Sequence, residues 1–251
     1  MWCVLPLKPT RLAKQRLSKF LTLKERNELV EVMAEDVIRA LIESSKIDNI
    51  LVTSTETYAA KLAEKYQLPY LDSKDDKDLN SAIQAAANYL EQQNVQSMLV
   101  IHGDLPQVTA RDIDHIANAH NMSVADFDSA ITLVPDELGQ GSNGLCCTPP
   151  TAIPFSYGVN SLVKHKYSAI NNAISFQICF AESMARDIDL PEDLAQLLVT
   201  SKYKSKSNSL TVNYLNNAGI AERLIPIIQA PVRFAQPDLE EYKSARIQLM
   251  V

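Results

Sequence analysis

The chain has 251 residues, of which 46% are hydrophobic and 22% charged, and its formal net charge is −6. This composition is typical of a folded globular protein, and the negative charge argues against general binding to nucleic acid. No apolar run approaches the roughly 20 residues of a membrane-spanning helix, and the opening "MWCVLPLKP" lacks the features of a secretion signal. We therefore expect a cytoplasmic protein that binds neither nucleic acid nor a membrane.

Short apolar runs alternate with amphipathic helices along most of the chain. The run "WCVLPL" predicts a buried strand, and Thr22 with Glu25 forms a capping box ahead of a helix that continues to about Ser45. Further strands are predicted in "NILVTS", "SMLVIHGDLP" and "SAITLVP". Helices are predicted over about 57–66, in "DLNSAIQAAANYLEQQ" and after Thr109. This alternation predicts an α/β fold with a mixed, mostly parallel sheet and helices on both faces.

The clearest boundary is the polar, basic stretch "SKYKSKSNS", residues 201–209, which is typical of a linker. Residues 1–200 are then one domain. Residues 210–251 are a C-terminal extension with one helical segment, and we expect this extension to pack on the partner subunit of a homodimer.

The cysteines carry no metal or disulfide signature. Cys3, Cys146, Cys147 and Cys179 show no C-x-x-C spacing, and three of the four lie in apolar, strand-like stretches. We expect buried free thiols, which agrees with a reducing compartment.

A basic segment follows the first strand. Seven of the 24 basic residues lie between Lys8 and Arg26, where Glu25 is the only acid. Four of these basic residues fall in one loop: Lys8, Arg11, Lys14 and Arg16. Such a loop can surround a polyphosphate, because Arg supplies forked donors and Lys a point charge. On charge alone, an exposed basic helix face explains the segment equally well.

Three aspartates are predicted to end strands. Asp104 lies in "HGDLP", and Asp187 and Asp189 lie in "DIDLPEDL", after an apolar run. Strand residues two apart point the same way, and like charges so close repel unless a cation lies between them. An isolated D-x-D is more often a solvated turn, but three carboxylates at the carboxyl edge of one sheet suit Mg²⁺.

Glycine is concentrated in one window. Four of the six glycines lie within 20 residues, namely Gly139, Gly141, Gly144 and Gly158. This clustering predicts a backbone that approaches a ligand closely. Ser161 lies near the start of the next predicted helix, where an anion is favoured.

The segments "VLPLKPTRLAKQRLS", "HGDLP", "GSNGL", "FSYGVNSLVKH" and "DIDLPED" together resemble the 2-phospho-L-lactate guanylyltransferase family. The resemblance covers about residues 1–200. It implies a nucleotidyltransferase with a GT-A-like fold that serves biosynthesis of the deazaflavin coenzyme F-420. The implied reaction is Mg²⁺-dependent and joins GMP from GTP to a phosphorylated three-carbon acid, with release of pyrophosphate.

The resemblance also implies roles for individual residues. Metal-binding positions are Asp104, Asp187 and Asp189, and catalytic positions are Lys14, Arg16 and Asp104. Nucleotide-binding positions are Lys8, Arg11, Lys14, Arg16 and Asn80, and acceptor-binding positions are Ser142, Gly158 and Ser161. Ser142 and Leu190 stand where the family usually has Thr. Because Leu190 is a predicted helix N-cap without a hydroxyl, Asp189 is an alternative cap, and capping would compete with metal binding.

Several alternatives remain open at this stage. The acceptor could be 2-phospho-L-lactate, phosphoenolpyruvate or 3-phosphoglycerate. Other functions are a nucleotidyltransferase of the same fold acting on a sugar phosphate or pterin, a glycosyltransferase with its own D-x-D, or a non-catalytic nucleotide-binding protein. The histidines are interpreted as incidental, with His165 alone a candidate contact to an acceptor anion.

Overall fold

The structure is a computed structural model that describes residues 1–9, 14–74, 76–203 and 209–229, without the side chains of residues 202 and 203. Its centre is a seven-stranded sheet. The strands are β1 (Trp2–Pro6), β2 (Asn49–Ser54), β3 (Tyr70–Asp72), β4 (Met98–Ile101), β5 (Ala130–Pro135), β6 (Ser142–Thr148) and β7 (Ser175–Ile178).

The strand order is β3-β2-β1-β4-β6-β5-β7. Only β6 among these strands is antiparallel to its neighbours, β4 and β5. The prediction of a mixed, mostly parallel sheet is thus confirmed.

Eight α-helices surround the sheet in the described part of the chain. They are α1 (Leu23–Glu43), α2 (Thr57–Lys65), α3 (Leu79–Gln92), α4 (Ala110–Asp126), α5 (Ser161–Asn171), α6 (Pro191–Tyr203), α7 (Leu210–Asn217) and α8 (Ile220–Gln229). The predicted cap of α1 is present: the Thr22 side chain accepts from the Glu25 amide, and the Glu25 carboxylate accepts from the Thr22 amide. Among these helices, none is long and apolar enough to cross a membrane.

Two apolar cores lie on opposite faces of the sheet. In β1, Cys3 and Leu5 belong to the core that contains α1 residues such as Leu29. Val4, between them, belongs to the other core, with Ile83 of α3. Because strand side chains alternate faces and both faces are covered, the strands are apolar almost throughout. Helices on both faces were predicted, and the two cores confirm them.

The C-terminal helices pack on the same chain. Helix α6 runs through Tyr203, so the first three residues of the predicted linker are helical, and residues 204–208 lie outside the described residues. Helices α7 and α8 contact α1 and α6, and Leu215, Ile220 and Leu224 are fully buried. Residues 230–251 lie outside the described residues, so a contact with a partner subunit stays a prediction.

The expectation that Asp187 and Asp189 end a strand was wrong. Strand β7 ends at Ile178, and the chain then follows an irregular path that includes a 3₁₀ turn, Glu182–Met184. Apolar side chains along this path are buried and gave the sequence its strand-like pattern: Cys179, Ala181, Met184 and Ile188. The Ile188 amide donates to the carbonyl of Asp104 at 3.1 Å. This bond, rather than a strand, holds the D-x-D segment beside Asp104.

Candidate active site

The basic loop begins where β1 ends, and its neighbours hold its first residues. The Ser54 hydroxyl, at the end of β2, donates to the carbonyl of Leu7 at 2.7 Å, and the Tyr58 hydroxyl of α2 donates to the carbonyl of Lys8 at 3.1 Å. The Lys8 side chain is exposed. Arg11 lies outside the described residues. The loop start is therefore fixed by backbone contacts, while the Lys8 ammonium stays in solvent.

Lys14 turns inward from this loop and meets two of the predicted metal ligands. Its Nζ lies 2.7 Å from Oδ2 of Asp104 and 2.9 Å from Oδ1 of Asp189. The Lys14 side chain is 5% exposed, Asp104 is 14% exposed and Asp189 is 42% exposed. Arg16 approaches Asp189 only to 3.8 Å and is 72% exposed, so it remains available to a ligand.

The pKa values indicate that Lys14 and Asp104 are both charged. Burial alone lowers the pKa of Lys14, but Asp104 and Asp189 outweigh it and hold the pKa above its usual range. Burial raises the pKa of Asp104, but Lys14 and then Lys8 outweigh it and hold the pKa well below its usual range. Because the opposite charges favour each other's ionised form, the pair persists across the neutral pH range.

Asp187 has the opposite electrostatic environment. Burial, followed by the negative charges of Asp104 and Asp189, raises the pKa of Asp187 to about 6. The Asp187 carboxylate, the third of the cluster, therefore has too little positive charge nearby to offset burial and its two negative neighbours. A cation beside it would relieve the repulsion.

The three aspartates converge as predicted, far apart in sequence but together in space. Asp104, Asp187 and Asp189 each offer a carboxylate oxygen, and these oxygens lie within 4.8 Å of one another. Oxygens on opposite sides of Mg²⁺ lie about 4.2 Å apart, since each bond is about 2.1 Å. The donor set is oxygen only, which hard cations prefer. These residues therefore fit a divalent cation.

A separate carboxylate resolves the expected competition for Asp189. The Asp193 side chain accepts from the amides of Asp189 at 2.9 Å and Leu190 at 2.7 Å, at the start of α6. Asp193 therefore fixes the start of α6 through the back-bond of a capping box, although Leu190 offers no hydroxyl. The Asp189 carboxylate is left to face Lys14.

Lys14, Asp104 and Asp189 line one cleft of about 260 Å³ at the carboxyl ends of β1 and β4. Its charged and aromatic lining residues include Lys8, Lys14, Arg16, Tyr58, Asp104 and Asp189. The cleft thus combines a basic rim with an acidic floor.

The predicted acceptor residues form a second group, near the start of α5. Ser142 and Ser161 are each 3% exposed, and the Ser142 amide donates to Oγ of Ser161 at 2.9 Å. The Ser161 amide donates to the carbonyl of Gly158, and the next amide, of Leu162, donates to that of Gln140. Gly158 itself is exposed. The two serines thus have structural bonds, and an acceptor-binding role for all three residues stays a prediction.

His165 lies beneath this second group and is structural. It is fully buried; its Nε2 accepts from the Ser156 amide at 2.9 Å, and its Nδ1 lies 3.1 Å from the Ser142 hydroxyl. Since Nε2 accepts, a neutral ring carries its proton on Nδ1 and donates it to Ser142. Burial, and then the charges of His102 and Lys164, lower the pKa of His165 to about 4. A direct contact between His165 and an acceptor anion does not fit this environment.

Asn80, predicted to face the nucleotide, contacts the backbone of Tyr157 instead. Its Oδ1 accepts from the Tyr157 amide at 2.6 Å, and its Nδ2 donates to the Tyr157 carbonyl at 3.3 Å. A nucleotide-binding role for Asn80 stays a prediction.

The glycine window has a different explanation from the one expected. A Cβ on Gly144, inside β6, would lie 2.8 Å from Cε of Met184, and one on Gly141 would lie 2.8 Å from Oδ2 of Asp136. Gly139 adopts a φ of 66° in the turn before β6. These three glycines therefore serve packing and a tight turn. Gly158, with a φ of +115° and no neighbour within 4 Å of a Cβ, is the one that opens to solvent.

Three residues that hold the site were missed from the sequence: Tyr58, Tyr157 and Asp193. For Asp193 a signal existed, because Pro191 can start a helix and an acid in the first turn can accept from its free amides. For Tyr58 and Tyr157 we find no such signal, since their contacts join segments far apart in sequence.

A cleft with this charge pattern can bind a phosphorylated ligand and a cation together. Such clefts at the carboxyl ends of strands in open α/β sheets are typical of nucleotide-binding enzymes. Among solved structures, a chain assigned as a nucleotide-diphospho-sugar transferase from Desulfovibrio desulfuricans G20 has the same fold. It is 15% identical, with a TM-score of 0.70 over 91% of this chain and 99% of that chain. The fold is therefore that of the nucleotide-diphospho-sugar transferase class.

Within this class, residues 1–223 match the family described as "Guanylyl transferase CofC like". The chain belongs to this family. It is 31% identical to a phosphoenolpyruvate guanylyltransferase of Conexibacter woesei, over 78% of this chain and 86% of that protein. A 2-phospho-L-lactate guanylyltransferase of Methanosphaera stadtmanae is 27% identical, over 86% and 90%. A 3-phospho-D-glycerate guanylyltransferase of Colwellia psychrerythraea is also 27% identical, over 82% and 96%.

Proposed function

We propose that the chain transfers GMP from GTP to a phosphorylated three-carbon acid, in the biosynthesis of a deazaflavin coenzyme. A phosphate oxygen of the acid forms a bond to the α-phosphorus of GTP. The bond from that phosphorus to the oxygen bridging to the β-phosphate breaks, and pyrophosphate leaves with the electron pair. The second pKa of a phosphate monoester is about 6, so the nucleophile is already ionised near neutral pH and needs no general base.

The observation that carries the proposal is the position of Lys14. Its ammonium lies between two carboxylates of the acidic cluster, at 2.7 and 2.9 Å, in the cleft that Lys8 and Arg16 also line. A reaction between two polyanions needs positive charge concentrated at one point. The cleft provides this charge next to the only three-carboxylate cluster among the described residues.

Each charged group then has a role in the transfer. Asp104, Asp187 and Asp189 would hold Mg²⁺, which when bound supplies positive charge at the phosphate oxygens. Lys14 and Arg16 stabilise charge on the α-phosphate and on the leaving pyrophosphate. Lys8, exposed at the rim, attracts the triphosphate.

The acceptor is one of three chemically similar acids. Relatives with nearly equal identity are named for phosphoenolpyruvate, 2-phospho-L-lactate and 3-phospho-D-glycerate. We propose that this chain uses an acid of this group, bound near Ser142, Gly158 and Ser161.

The test uses the purified chain with Mg²⁺, GTP and each of the three acids in turn. We expect pyrophosphate release with at least one acid and a product whose mass equals the acid plus GMP less water. Asp189→Ala should reduce turnover at least about 100-fold, as expected for loss of a ligand to the cation that supplies positive charge at the phosphates. Pyrophosphate release that needs a sugar phosphate or a pterin instead, or no release at all, would refute the proposal.

We also propose a homodimer. The exposed side chains of Val163, Tyr167 and Ile170 lie three or four residues apart on α5, and Val159 precedes them with 81% exposure. Residues with this spacing share one helix face, and most oligomers are symmetric pairs of the same chain. Light scattering should give twice the monomer mass, and Tyr167→Lys should lower it toward that of the monomer.

We further propose a cytoplasmic location. All four cysteines are buried and free in the structure. Free thiols are the rule in reducing compartments. Fractionation of cells that express the chain should recover it with cytosolic markers.

A further inference from the structure

Asn80 joins two segments that the proposed reaction assigns to different substrates. The residue lies in the first turn of α3, whose start is fixed by a capping box between Asp78 and Ser81. Its side chain reaches Tyr157, 77 positions further along the chain. Its Oδ1 accepts from the Tyr157 amide at 2.6 Å, and its Nδ2 donates to the Tyr157 carbonyl at 3.3 Å. The side-chain amide of Asn80 therefore bonds to both the backbone amide and the carbonyl of one residue, as a neighbouring β-strand does.

Tyr157 is held on its other sides by aromatic contacts. Its ring meets those of His102 and His165 edge to face, with centroid distances of 4.9 and 4.8 Å. The Tyr157 side chain is buried, and its hydroxyl has no hydrogen-bond partner among the described residues. The ring is therefore fixed by packing alone. Within the described part of the chain, the polar contacts of Tyr157 are its two backbone bonds to Asn80.

The exposed loop that follows depends on this anchor. Residues 158–160 are exposed, and two of them have a positive φ, +115° for Gly158 and 57° for Asn160. Glycine adopts a positive φ readily, but the left-handed conformation of Asn160 has a cost and persists only where the surrounding structure enforces it. The anchor before the loop is Tyr157, and the anchor after it is α5. Loss of the Asn80 contacts would leave the ring packed but would remove the two hydrogen bonds that hold the Tyr157 backbone.

We infer that Asn80 is a positioning residue for the acceptor loop, residues 157–161, rather than a contact to the nucleotide. This inference rests on the proposed function, because it assigns Gly158 and Ser161 to the acceptor. The Asn80 amide holds Tyr157, Tyr157 fixes the start of the loop, and the loop presents its backbone to the phosphorylated acid. Asn80 acts on the acceptor only through Tyr157.

The inference predicts that loss of Asn80 weakens the acceptor interaction and leaves GTP binding nearly unchanged. A direct nucleotide contact would instead predict weaker GTP binding. Asn80→Ala removes both bonds to Tyr157. We expect the Kd for GTP with Mg²⁺, measured calorimetrically without acceptor, to stay within about twofold, while the KM for the acceptor acid rises at least about fivefold. A lost hydrogen bond of about 1.4 kcal/mol corresponds to tenfold faster exchange of the Tyr157 amide. Hydrogen exchange of a peptide that spans residues 155–161 should show this increase.

Matched variants make the outcome decisive. Asn88 lies on the same helix, where its exposed side chain accepts from the amide of Gln84. Asn88→Ala should change none of the three quantities. Asn80→Leu keeps the side-chain volume without the two bonds, and it should repeat the result of Asn80→Ala.

Three results would overturn the inference. They are an unchanged exchange rate at Tyr157, an unchanged KM for the acceptor with faster exchange, and a Kd for GTP that weakens as much as that KM. If the wild-type chain transfers GMP to no acid, the proposed function fails, but amide exchange and GTP binding still decide whether Asn80 holds the loop or contacts the nucleotide.

Discussion

The ammonium nitrogen of Lys14 lies 2.7 Å from Oδ2 of Asp104, and only 5% of the Lys14 side chain is exposed. Lys14 also contacts Asp189 at 2.9 Å. Without a metal ion, Lys14 is therefore the main positive charge inside the acidic cluster. A cation held by these two carboxylates would compete with Lys14 for them and would release the ammonium toward the phosphates of the proposed substrate.

Removal of this ammonium should strengthen the dependence of stability on metal. In Lys14→Met the carboxylates lose their counter-charge, and we expect the free energy of unfolding without metal to fall by about 1–3 kcal/mol, since Asp189 is partly solvated. Excess Mg²⁺ should then raise the Tm of the variant more than that of the wild type, because a ligand stabilises the state to which it binds.

The control for this experiment is Lys8→Met, which removes an exposed lysine of the same cleft. Lys8 acts on Asp104 through its charge without a direct contact, so we expect the Tm of Lys8→Met and its response to Mg²⁺ to change less than those of Lys14→Met. An equal Tm increase in Lys14→Met and wild type would contradict competition between Lys14 and the metal.

Asp193 should matter for both stability and the metal site. Asp193→Ala removes the acceptor for the amides of Asp189 and Leu190, and an N-cap contributes about 1 kcal/mol. Because the lost bonds also hold the backbone of Asp189, we expect weaker Mg²⁺ binding as well as a lower Tm. Glu192→Ala, a loss of a neighbouring acid in the same first turn, should leave Mg²⁺ binding unchanged. If Asp193→Ala lowers the Tm alone, the cap does not protect the metal ligand.

Acid should destabilise the chain through buried histidines. Burial lowers the pKa of His120 from 6.5 to about 4, and His120 is fully buried between the hydroxyls of Thr132 and Thr148. The unfolded chain then binds a proton below pH 6.5 that the folded chain does not bind until about pH 4. Stability due to this group is present above pH 6.5 and falls by about 1.4 kcal/mol per pH unit between these values.

Urea denaturation at neutral pH and at about pH 5 measures this loss. His120→Gln cannot take up the proton, so its stability should fall less between the two conditions than that of the wild type. His115→Gln changes an exposed histidine of the same helix and should behave as the wild type does. An identical acid loss in His120→Gln and wild type would exclude His120 as the source.

A side chain at Gly144 should lower the stability of the chain. In Gly144→Ala the new Cβ would lie 2.8 Å from Cε of Met184 and 3.0 Å from Cγ2 of Val134. Overpacking of this kind costs about 1–3 kcal/mol. A double-mutant cycle with Met184→Ala, followed by thermal denaturation, should show that removal of the Met184 tip recovers part of the loss. Additive effects would mean that the two side chains do not meet.

The sequence was most informative where a local pattern determines structure. Thr22 with Glu25, and Thr109 with Asp112, marked helix starts because their capping contacts span three residues. The three aspartates were found because each follows an apolar run, although Asp187 and Asp189 follow an irregular buried path rather than a strand.

The parts that escaped prediction depend on long-range contacts. The pairing of Asn80 with Tyr157 and the fit of Gly144 against Met184 join residues that no local pattern connects. The C-terminal extension was predicted to hold one helix, but the structure has two, and Pro226 lies inside the second. The apolar residues of the extension are buried against α1 and α6. The sequence of the extension alone does not show this contact.

That burial has a genetic consequence. Leu215, Ile220 and Leu224 have no exposed surface, although they lie beyond every residue assigned to the chemistry. A stop codon between 203 and 210 would keep the proposed catalytic residues but would expose the apolar side chains of α1 and α6 that α7 and α8 cover. Cellular quality control removes chains in that state. Loss-of-function alleles should therefore map to this stretch of the gene as readily as to the codons for the aspartates.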